Sequence, residues 1–149
     1  MIITDEALLR VRCEDVLPNE VNSIRQKLEY ELRLSELAGA PGIGLAAPQI
    51  GINKNMFIVR IPTIDRGIIS FDVVNAKIKE RYDPSVFLDE GCLSFPGKFV
   101  RTIRHAEIYV TSNLVEPHSF IAIGLAAACI EHEMDHLNGK LLIDYEKSK

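Results

Sequence analysis

The segment IEHEMDHLNG, residues 130–139, constrains the fold more than any other stretch of the chain. His132 and His136 are four positions apart, so on a helix they lie one turn above each other on the same face and can reach one ion. Glu133 between them completes the HExxH pattern, in which two imidazoles bind a transition metal and the glutamate transfers protons. The same letters also occur at the exposed end of a helix with two hydrogen-bonded histidines. A metal site therefore needs support from elsewhere in the sequence.

An apolar helix is predicted to carry this pattern. Residues 120–137 are rich in Ala and Leu and are interrupted only by Gly124, and Gly139 follows where a helix C-cap is expected. An earlier helix is predicted to open at Pro18 and to end before Gly39. Its apolar positions follow helical spacing and are Ile24, Leu28, Leu32, Leu34 and Leu37.

Short β-rich runs separate the two helices. They cover residues 56–61, 67–78 and 106–114 and are broken by Pro, Gly and Asn, which is typical of antiparallel strands. The order of helix, strands and helix lacks a regular βαβ alternation and predicts an α+β fold. We expect a single domain over residues 1–149, in which antiparallel sheets pack around the central helix that carries HExxH.

Composition and charge exclude several classes of function. The chain has 149 residues, a net charge of -4 and a pI near 5.6, with no basic block, so no direct nucleic-acid binding is predicted. No apolar run approaches the ~20 residues of a membrane span, and the acidic start is unlike a signal peptide. We therefore expect a cytoplasmic protein without a membrane partner. Three separated cysteines argue against a disulfide framework and for buried, ligating or catalytic thiols.

A hydrolytic metal site needs a third protein ligand and an open position for water. Only thirteen residues follow His136, so the third donor is expected upstream. The candidates are Cys92, Glu90, His105, His118 and Cys13. Cys92 is favoured because it lies in the polar stretch DEGCLSFPG, residues 89–97, and because a thiolate suits iron or zinc beside two imidazoles. Cys129 is interpreted as pocket lining and Cys13 as a core residue.

The stretch GIGLAAPQIG, residues 42–51, combines small side chains with one amide. It lacks the Lys and Ser/Thr of a P-loop, so phosphate binding is disfavoured. Small side chains let a peptide backbone approach closely, as in strand addition, and Gln49 offers an amide donor to a developing oxyanion. The alternative is a tight turn with a surface glutamine.

Together, the stretches GIGLAAPQ, EGCLS and HEMDHLNG resemble the peptide deformylases. The resemblance covers residues 8–144 and implies a cytoplasmic metallohydrolase that removes the formyl group from the N-terminal formylmethionine of nascent polypeptides, releasing formate. It implies one divalent metal ion per chain, with Fe(II) as the native ion and zinc, nickel or cobalt as substitutes. N-formylmethionyl peptides are the implied substrates, and the ribosome is a candidate partner.

The resemblance also implies a role for individual residues. It implies three metal ligands and one acid/base, which are Cys92, His132, His136 and Glu133. Gln49 and the backbone NH of Leu93 correspond to oxyanion contacts, and Gly44 to a backbone contact with the substrate. The methionine side chain is expected in an apolar pocket formed by Ile43, Leu88, Leu125, Ala128 and Cys129.

The chain departs from the family pattern in three places. Glu131 stands where glutamine is common, which brings another negative charge near the metal site. Only four residues follow Tyr145, so the C-terminal helix of many bacterial members is expected to be missing, as in the short deformylases of some phages and organelles. A phage-encoded enzyme would act in the host cytoplasm. Residues 60–89 match poorly and assign no peptide contact beyond the methionine.

Two other functions share these residues. One is a related metallohydrolase that acts on another small N-acyl group, such as acetyl, and it would need a cavity for the methyl group beside Gln49. The other is a catalytically silent metal-binding homologue. Such a homologue would usually lack Glu133 or a metal ligand, and none is missing from the sequence.

Overall fold

Two antiparallel three-stranded sheets flank the helix that carries the HExxH pattern. The computed structural model describes residues 1–146, and residues 147–149, on which the expected absence of a C-terminal helix depends, lie outside the described residues. The elements in chain order are α1 (Glu6–Leu9), α2 (Val21–Leu37), β1 (Gly44–Ala46), β2 (Met56–Pro62), β3 (Ile68–Val74), β4 (Lys77–Cys92), β5 (Phe95–Thr111), β6 (Ser119–Ile123), α3 (Gly124–Leu137) and α4 (Leu142–Glu146). The sheets have the orders β1-β2-β3 and β4-β5-β6. The predicted α+β architecture, with antiparallel sheets around the HExxH helix, is confirmed.

Helix α2 follows the predicted apolar spacing over most of its length. Ile24, Leu28 and Leu32 recur every four residues and are buried against the first sheet. Leu34 and Leu37 are exposed, so their predicted place on the apolar face is wrong. Leu34 lies two residues after Leu32, which turns its side chain about 200° around the helix axis. Within residues 1–146, no helix is long and apolar enough to cross a membrane.

Strand β2 organises the interior because both of its faces are buried. Phe57 and Val59 pack in the cluster that includes α3, whereas Met56 and Ile58 pack in the cluster that includes α2. This follows from the alternation of side chains along a strand. Ile130 of α3 joins the first cluster and is fully buried. The HExxH helix is thereby held against the centre of the first sheet.

The β-rich run at residues 67–78 divides into two strands of different sheets. Strand β3 ends at Val74 and β4 begins at Lys77. Between them Asn75 has a φ of 49°, and its side-chain amide both accepts from Val16 N at 2.7 Å and donates to Val16 O at 3.0 Å. Asn tolerates the left-handed conformation and caps the backbone locally, which explains the break.

The long hairpin of β4 and β5 was largely missed by the sequence analysis. Strand β4 spans 16 residues, of which only Glu90 is buried, and it contains Pro84 and Gly91. Its exposed polar side chains and internal proline hide the usual strand signal. Register shifts lie between Phe87 and Cys92, and a two-residue turn then leads into β5. The stretch EGCLS, residues 90–94, forms the last three residues of β4 and this turn.

Helix α3 begins at Gly124, so the predicted helix start at residue 120 is wrong. Residues 119–123 form β6, which pairs with β5. Ala122 is buried while Ile121 and Ile123 are exposed, which is strand alternation in a run with two β-branched residues. Gly124 has a φ of 59° at the change from strand to helix. At the other end, Gly139 has a φ of 71° and follows the C-cap, as predicted.

The packing of α2 leads to a prediction on stability. Leu28 is fully buried and Leu37 is 72% exposed on the same helix. We expect Leu28→Ala to lower the free energy of unfolding by about 3 kcal/mol, because it removes apolar contact and leaves a cavity. Leu37→Ala serves as the control and should change it by less than about 0.5 kcal/mol. Urea denaturation of the two variants measures both, and equal effects would contradict the assignment of the buried face.

Candidate metal centre and active site

Three side chains with metal-binding atoms converge where β4 ends against α3. Cys92 is the last residue of β4, and His132 and His136 lie on successive turns of α3. One ligand atom from each lies within 4.8 Å of the other two, and Cys92 Sγ is 3.4 Å from His136 Nε2. Among residues 1–146, no other group of His, Cys, Asp or Glu side chains meets this criterion. A thiolate with two imidazoles is a donor set that suits iron or zinc and leaves a fourth position open.

The orientation of His132 is fixed from behind by Glu90. His132 Nδ1 lies 2.6 Å from Glu90 Oε1 and donates its proton to that carboxylate. The other ring nitrogen, Nε2, is then the acceptor and is available to a metal. Glu90 was one of the candidate third ligands in the sequence. It instead orients His132, one of the three convergent side chains.

Arg104 and Thr102 stabilise the buried Glu90 carboxylate. Arg104 Nε donates to Glu90 Oε2 at 2.8 Å, Arg104 Nη2 donates to Glu90 Oε1, and Thr102 Oγ1 donates to Glu90 Oε2 at 2.6 Å. Burial disfavours the charged carboxylate, but the hydrogen bonds from Arg104 and His132 outweigh it and lower the pKa of Glu90 to about 2. Neither Arg104 nor Thr102 was predicted from the sequence. Their polar side chains at alternate positions of an otherwise apolar strand face were the signal that could have found them.

Glu133 is a buried carboxylate beside the metal-binding atoms. It is 3% exposed, and its Oε1 has no hydrogen-bond partner. Burial raises the pKa of Glu133 to about 7, although the nearby His132 opposes this shift. A carboxyl group that can hold or release a proton near neutral pH is suited to acid/base chemistry.

The two histidines respond oppositely to this environment. Burial alone would lower the pKa of His132, but Cys92, Glu133 and Glu90 together raise it. Burial lowers the pKa of His136, and the neighbouring His132 lowers it further. The two rings therefore have opposite pKa shifts although they lie on successive turns of one helix, and it is the donor set that fits a divalent cation.

A cavity of about 770 Å³ opens beside these side chains. Five of the six residues that the sequence analysis assigned to substrate binding line it, namely Ile43, Gly44, Leu125, Ala128 and Cys129. A Cβ at Gly44 would lie 2.5 Å from Glu133 Oε2 and 2.8 Å from Cys129 Sγ, so a larger residue would force both of these side chains to move. Burial raises the pKa of the Cys129 thiol, and the charge of Glu133 adds to this. Cys129 is therefore a neutral, apolar part of the wall.

The predicted place of Leu88 in this pocket is wrong. Its side chain is 68% exposed and is not among the residues that line the cavity. Phe87 and Asp89 line the cavity instead. Leu88 lies at the start of the part of β4 where the register with β5 shifts, so its direction could not be deduced from a regular strand pattern.

Gln49 and Leu93 lie beside Cys92, one of the three convergent side chains. Gln49 is buried, and its Oε1 accepts from Ala46 N at 2.9 Å. Its Nε2 therefore points away from β1, donates to Ser94 Oγ at 3.0 Å and lies 3.6 Å from Cys92 Sγ. Leu93 is the first residue of the turn between β4 and β5, and both Gln49 and Leu93 line the cavity.

The remaining sequence candidates lie away from the donor triad. His105 donates its backbone NH to Glu131 Oε1 at 2.7 Å, and its Nδ1 lies 2.9 Å from Glu131 Oε2. Glu131, which departs from the family pattern, is thus paired with His105 on β5. It also accepts a hydrogen bond from Arg81 Nε on β4 at 3.3 Å. His118 is exposed beside Glu116, and Cys13 is half-buried against the core.

Comparison with known proteins identifies the family. The model of the polypeptide deformylase family matches residues 1–149. The chain belongs to this family. Members of the family depend on a metal ion, in agreement with the Cys92, His132 and His136 triad.

Two relatives illustrate the extent of the similarity. The chain is 38% identical to a peptide deformylase of Prochlorococcus marinus strain AS9601 over 132 residues, which are 87% of this chain and 65% of that relative. The match thus spans slightly less than two thirds of that relative. A solved structure of a probable peptide deformylase from Synechococcus phage S-SSM7 superposes with a TM-score of 0.84 at 36% identity, over 97% of this chain and 98% of that one.

The triad leads to a prediction on metal content. We expect Cys92→Ala to lose tightly bound metal, because two imidazoles alone do not complete a hydrolytic site. Cys13→Ala is the matched control, since Cys13 lies outside the triad and should leave one metal ion per chain. Elemental analysis after gel filtration measures both variants. A full equivalent of metal in Cys92→Ala would show that the third ligand has been misassigned.

Proposed function

We propose that this protein is a metal-dependent amide hydrolase that removes the N-formyl group from N-terminal formylmethionine of nascent polypeptides. The observation that carries the proposal is the buried Glu133 carboxylate beside the convergent Cys92, His132 and His136 side chains. Membership of the deformylase family supports the same reaction. Residues 1–149 would act as one catalytic domain in the cytoplasm, where new polypeptides are made.

The metal would be held by the Sγ atom of Cys92 and one nitrogen each of His132 and His136. We propose Fe(II) as the native ion, with zinc, nickel or cobalt as substitutes, because a thiolate with two imidazoles accepts all of these. When bound, such an ion lowers the pKa of water towards ~7 and polarises a carbonyl.

Glu133 is the residue that moves protons in this mechanism. As a carboxylate it accepts the proton of the water that adds to the formyl carbon. It then gives this proton to the amine nitrogen as the carbon–nitrogen bond breaks, so formate and a free amino terminus leave. A pKa near 7 for Glu133 suits both steps, because the group can accept and release a proton at neutral pH.

Gln49 and Leu93 stabilise the negative charge that develops on the formyl oxygen. The Gln49 amide is held by Ala46 N, which directs its NH₂ group towards the end of β4. The backbone NH of Leu93 is the second donor. One such donor is typically worth about 3 kcal/mol in the transition state.

The peptide would bind along the edge of β1. Strand β1 is the outer strand of its sheet, so an extended peptide can pair with it beside Gly44. The methionine side chain would enter the apolar part of the cavity formed by Ile43, Leu125, Ala128 and Cys129. A solved deformylase of Acinetobacter baumannii, 27% identical with a TM-score of 0.79, is described as bound to Met-Ala-Ser, which supports a peptide of this kind.

A hydrolase of another N-acyl group is the second candidate. It would need room for a methyl group beside Gln49, whose side chain is buried. The test is formate release from formyl-Met-Ala-Ser beside acetate release from acetyl-Met-Ala-Ser. We expect turnover of the formyl peptide alone, and faster turnover of the acetyl peptide would support the second candidate.

A glutamate variant tests the proposed proton transfer. We expect Glu133→Gln to keep its metal but to lose at least about 100-fold in kcat, because an amide cannot accept the proton. Glu131→Gln is the matched control, two positions earlier in the helix, and should retain most of its activity because Glu131 faces His105. Metal analysis and formate release are measured on the same preparations. Similar kcat values for the two variants would show that Glu133 does not transfer the proton.

The donor set predicts how activity responds to air. A thiolate-ligated Fe(II) with an open position exposes both iron and sulfur to oxidation, whereas zinc has no redox chemistry. We expect the iron form to lose activity in aerated buffer while zinc and nickel forms do not, with zinc slower from the start. Formate release is followed over time in matched preparations. Equal decay of all forms would point to unfolding rather than to chemistry at the metal.

A further inference from the structure

The short helix α4 reaches the metal-binding region through Tyr145. The Tyr145 hydroxyl donates to Asp135 Oδ2 at 2.6 Å and accepts from Arg104 Nη1 at 3.1 Å. Arg104 Nη1 also donates to Asp135 Oδ2 at 2.8 Å. The three polar groups thus form a closed triangle, in which each hydrogen bond restrains the other two.

The ring of Tyr145 adds a second contact with the same arginine. The guanidinium carbon of Arg104 lies 4.9 Å from the centroid of the Tyr145 ring. The Arg104 side chain is only 4% exposed, so neither contact is weakened much by water. Hydroxyl and ring together define where the guanidinium plane lies.

The other side of the guanidinium holds Glu90. Arg104 Nε and Nη2 both donate to the Glu90 carboxylate, and a paired geometry of this kind transmits the orientation of one group to the other. Glu90 Oε1 in turn accepts the Nδ1 proton of His132 at 2.6 Å. A continuous series of hydrogen bonds therefore runs from α4 to a ligand of the proposed metal.

We propose that Tyr145 is a positioning residue for His132, and that it strengthens metal binding by fixing Arg104 and, through it, Glu90. This inference rests on the proposed metal site. Without the Tyr145 hydroxyl, Arg104 Nη1 keeps only Asp135 as an acceptor, so the guanidinium can rotate towards Asp135 and loosen its hold on Glu90. His132 then samples orientations in which Nε2 does not point at the metal.

The test is the zinc dissociation constant, measured by competition with a chromophoric chelator. Direct partners of metal ligands are worth about 10–100-fold in affinity, so Tyr145, two links beyond the direct partner Glu90, should be worth less, about 5–10-fold. We expect Tyr145→Phe to weaken zinc binding by this factor, since it removes the hydroxyl but keeps the ring. Tyr30→Phe is the matched control, because Tyr30 is 63% exposed on α2, and its constant should equal that of the wild type.

A second measurement, of Tyr145→Phe in a protein that also carries Glu90→Gln, separates a positioning role from a simple loss of stability. If Tyr145 acts through Glu90, then Tyr145→Phe should have no further effect on the zinc constant in a Glu90→Gln protein. The melting temperature of metal-free Tyr145→Phe should fall by no more than about 3 °C. In zinc-loaded protein with ¹⁵N-labelled histidine, the Nδ1 proton of His132 should exchange faster with water in Tyr145→Phe than in the wild type.

Each outcome bears on the proposal. An unchanged zinc constant in Tyr145→Phe, or the same loss in the Glu90→Gln background, overturns it and leaves the proposed function intact. If the wild-type chain bound no zinc, the proposed metal site would fail, and the positioning role with it. A weaker constant that disappears in the Glu90→Gln background supports the role.

Discussion

The buried ion pair between Glu90 and Arg104 is the interaction on which the rest of the site depends. Both side chains are less than 10% exposed, and the loss of hydration is offset only because nearly every polar atom finds a partner. The pair joins β4 to β5, and its partners His132 and Asp135 belong to α3. It therefore fixes the position of the helix relative to the strand that ends in Cys92. The two elements that supply the three convergent side chains, the end of β4 and α3, are thereby joined through this pair.

Glu133 differs from Glu90 in its hydrogen bonding, and its pKa is shifted in the opposite direction. Both carboxylates are buried, yet Glu90 has four donors and a pKa lowered to about 2, whereas Glu133 Oε1 has no partner and its pKa is raised to about 7. A group without a partner costs stability, and such a cost is usually found where chemistry needs it. One carboxylate thus holds the structure while the other remains able to exchange a proton.

Local sequence patterns predicted the parts of the site that lie within one element. The spacing of His132 and His136, the small residues around Gly44, and Cys92 between polar neighbours all predicted positions that the structure brings together. Local patterns failed where pairing across the chain decides the conformation. Residues 119–123 form a strand because β5 lies beside them, and Leu88 is exposed in the part of β4 where the register with β5 shifts. The contacts of Arg104 with Glu90 and Tyr145 span 14 and 41 residues, and no local pattern encodes them.

The most direct measurement of the central claim is X-ray absorption spectroscopy at the zinc edge of the zinc-loaded protein. The arrangement of Cys92, His132 and His136 predicts one sulfur ligand at about 2.3 Å and two imidazole nitrogens at about 2.0–2.1 Å. A wild-type spectrum with no sulfur, or with two sulfur ligands, would contradict a metal site built by β4 and α3 around the Glu90–Arg104 pair.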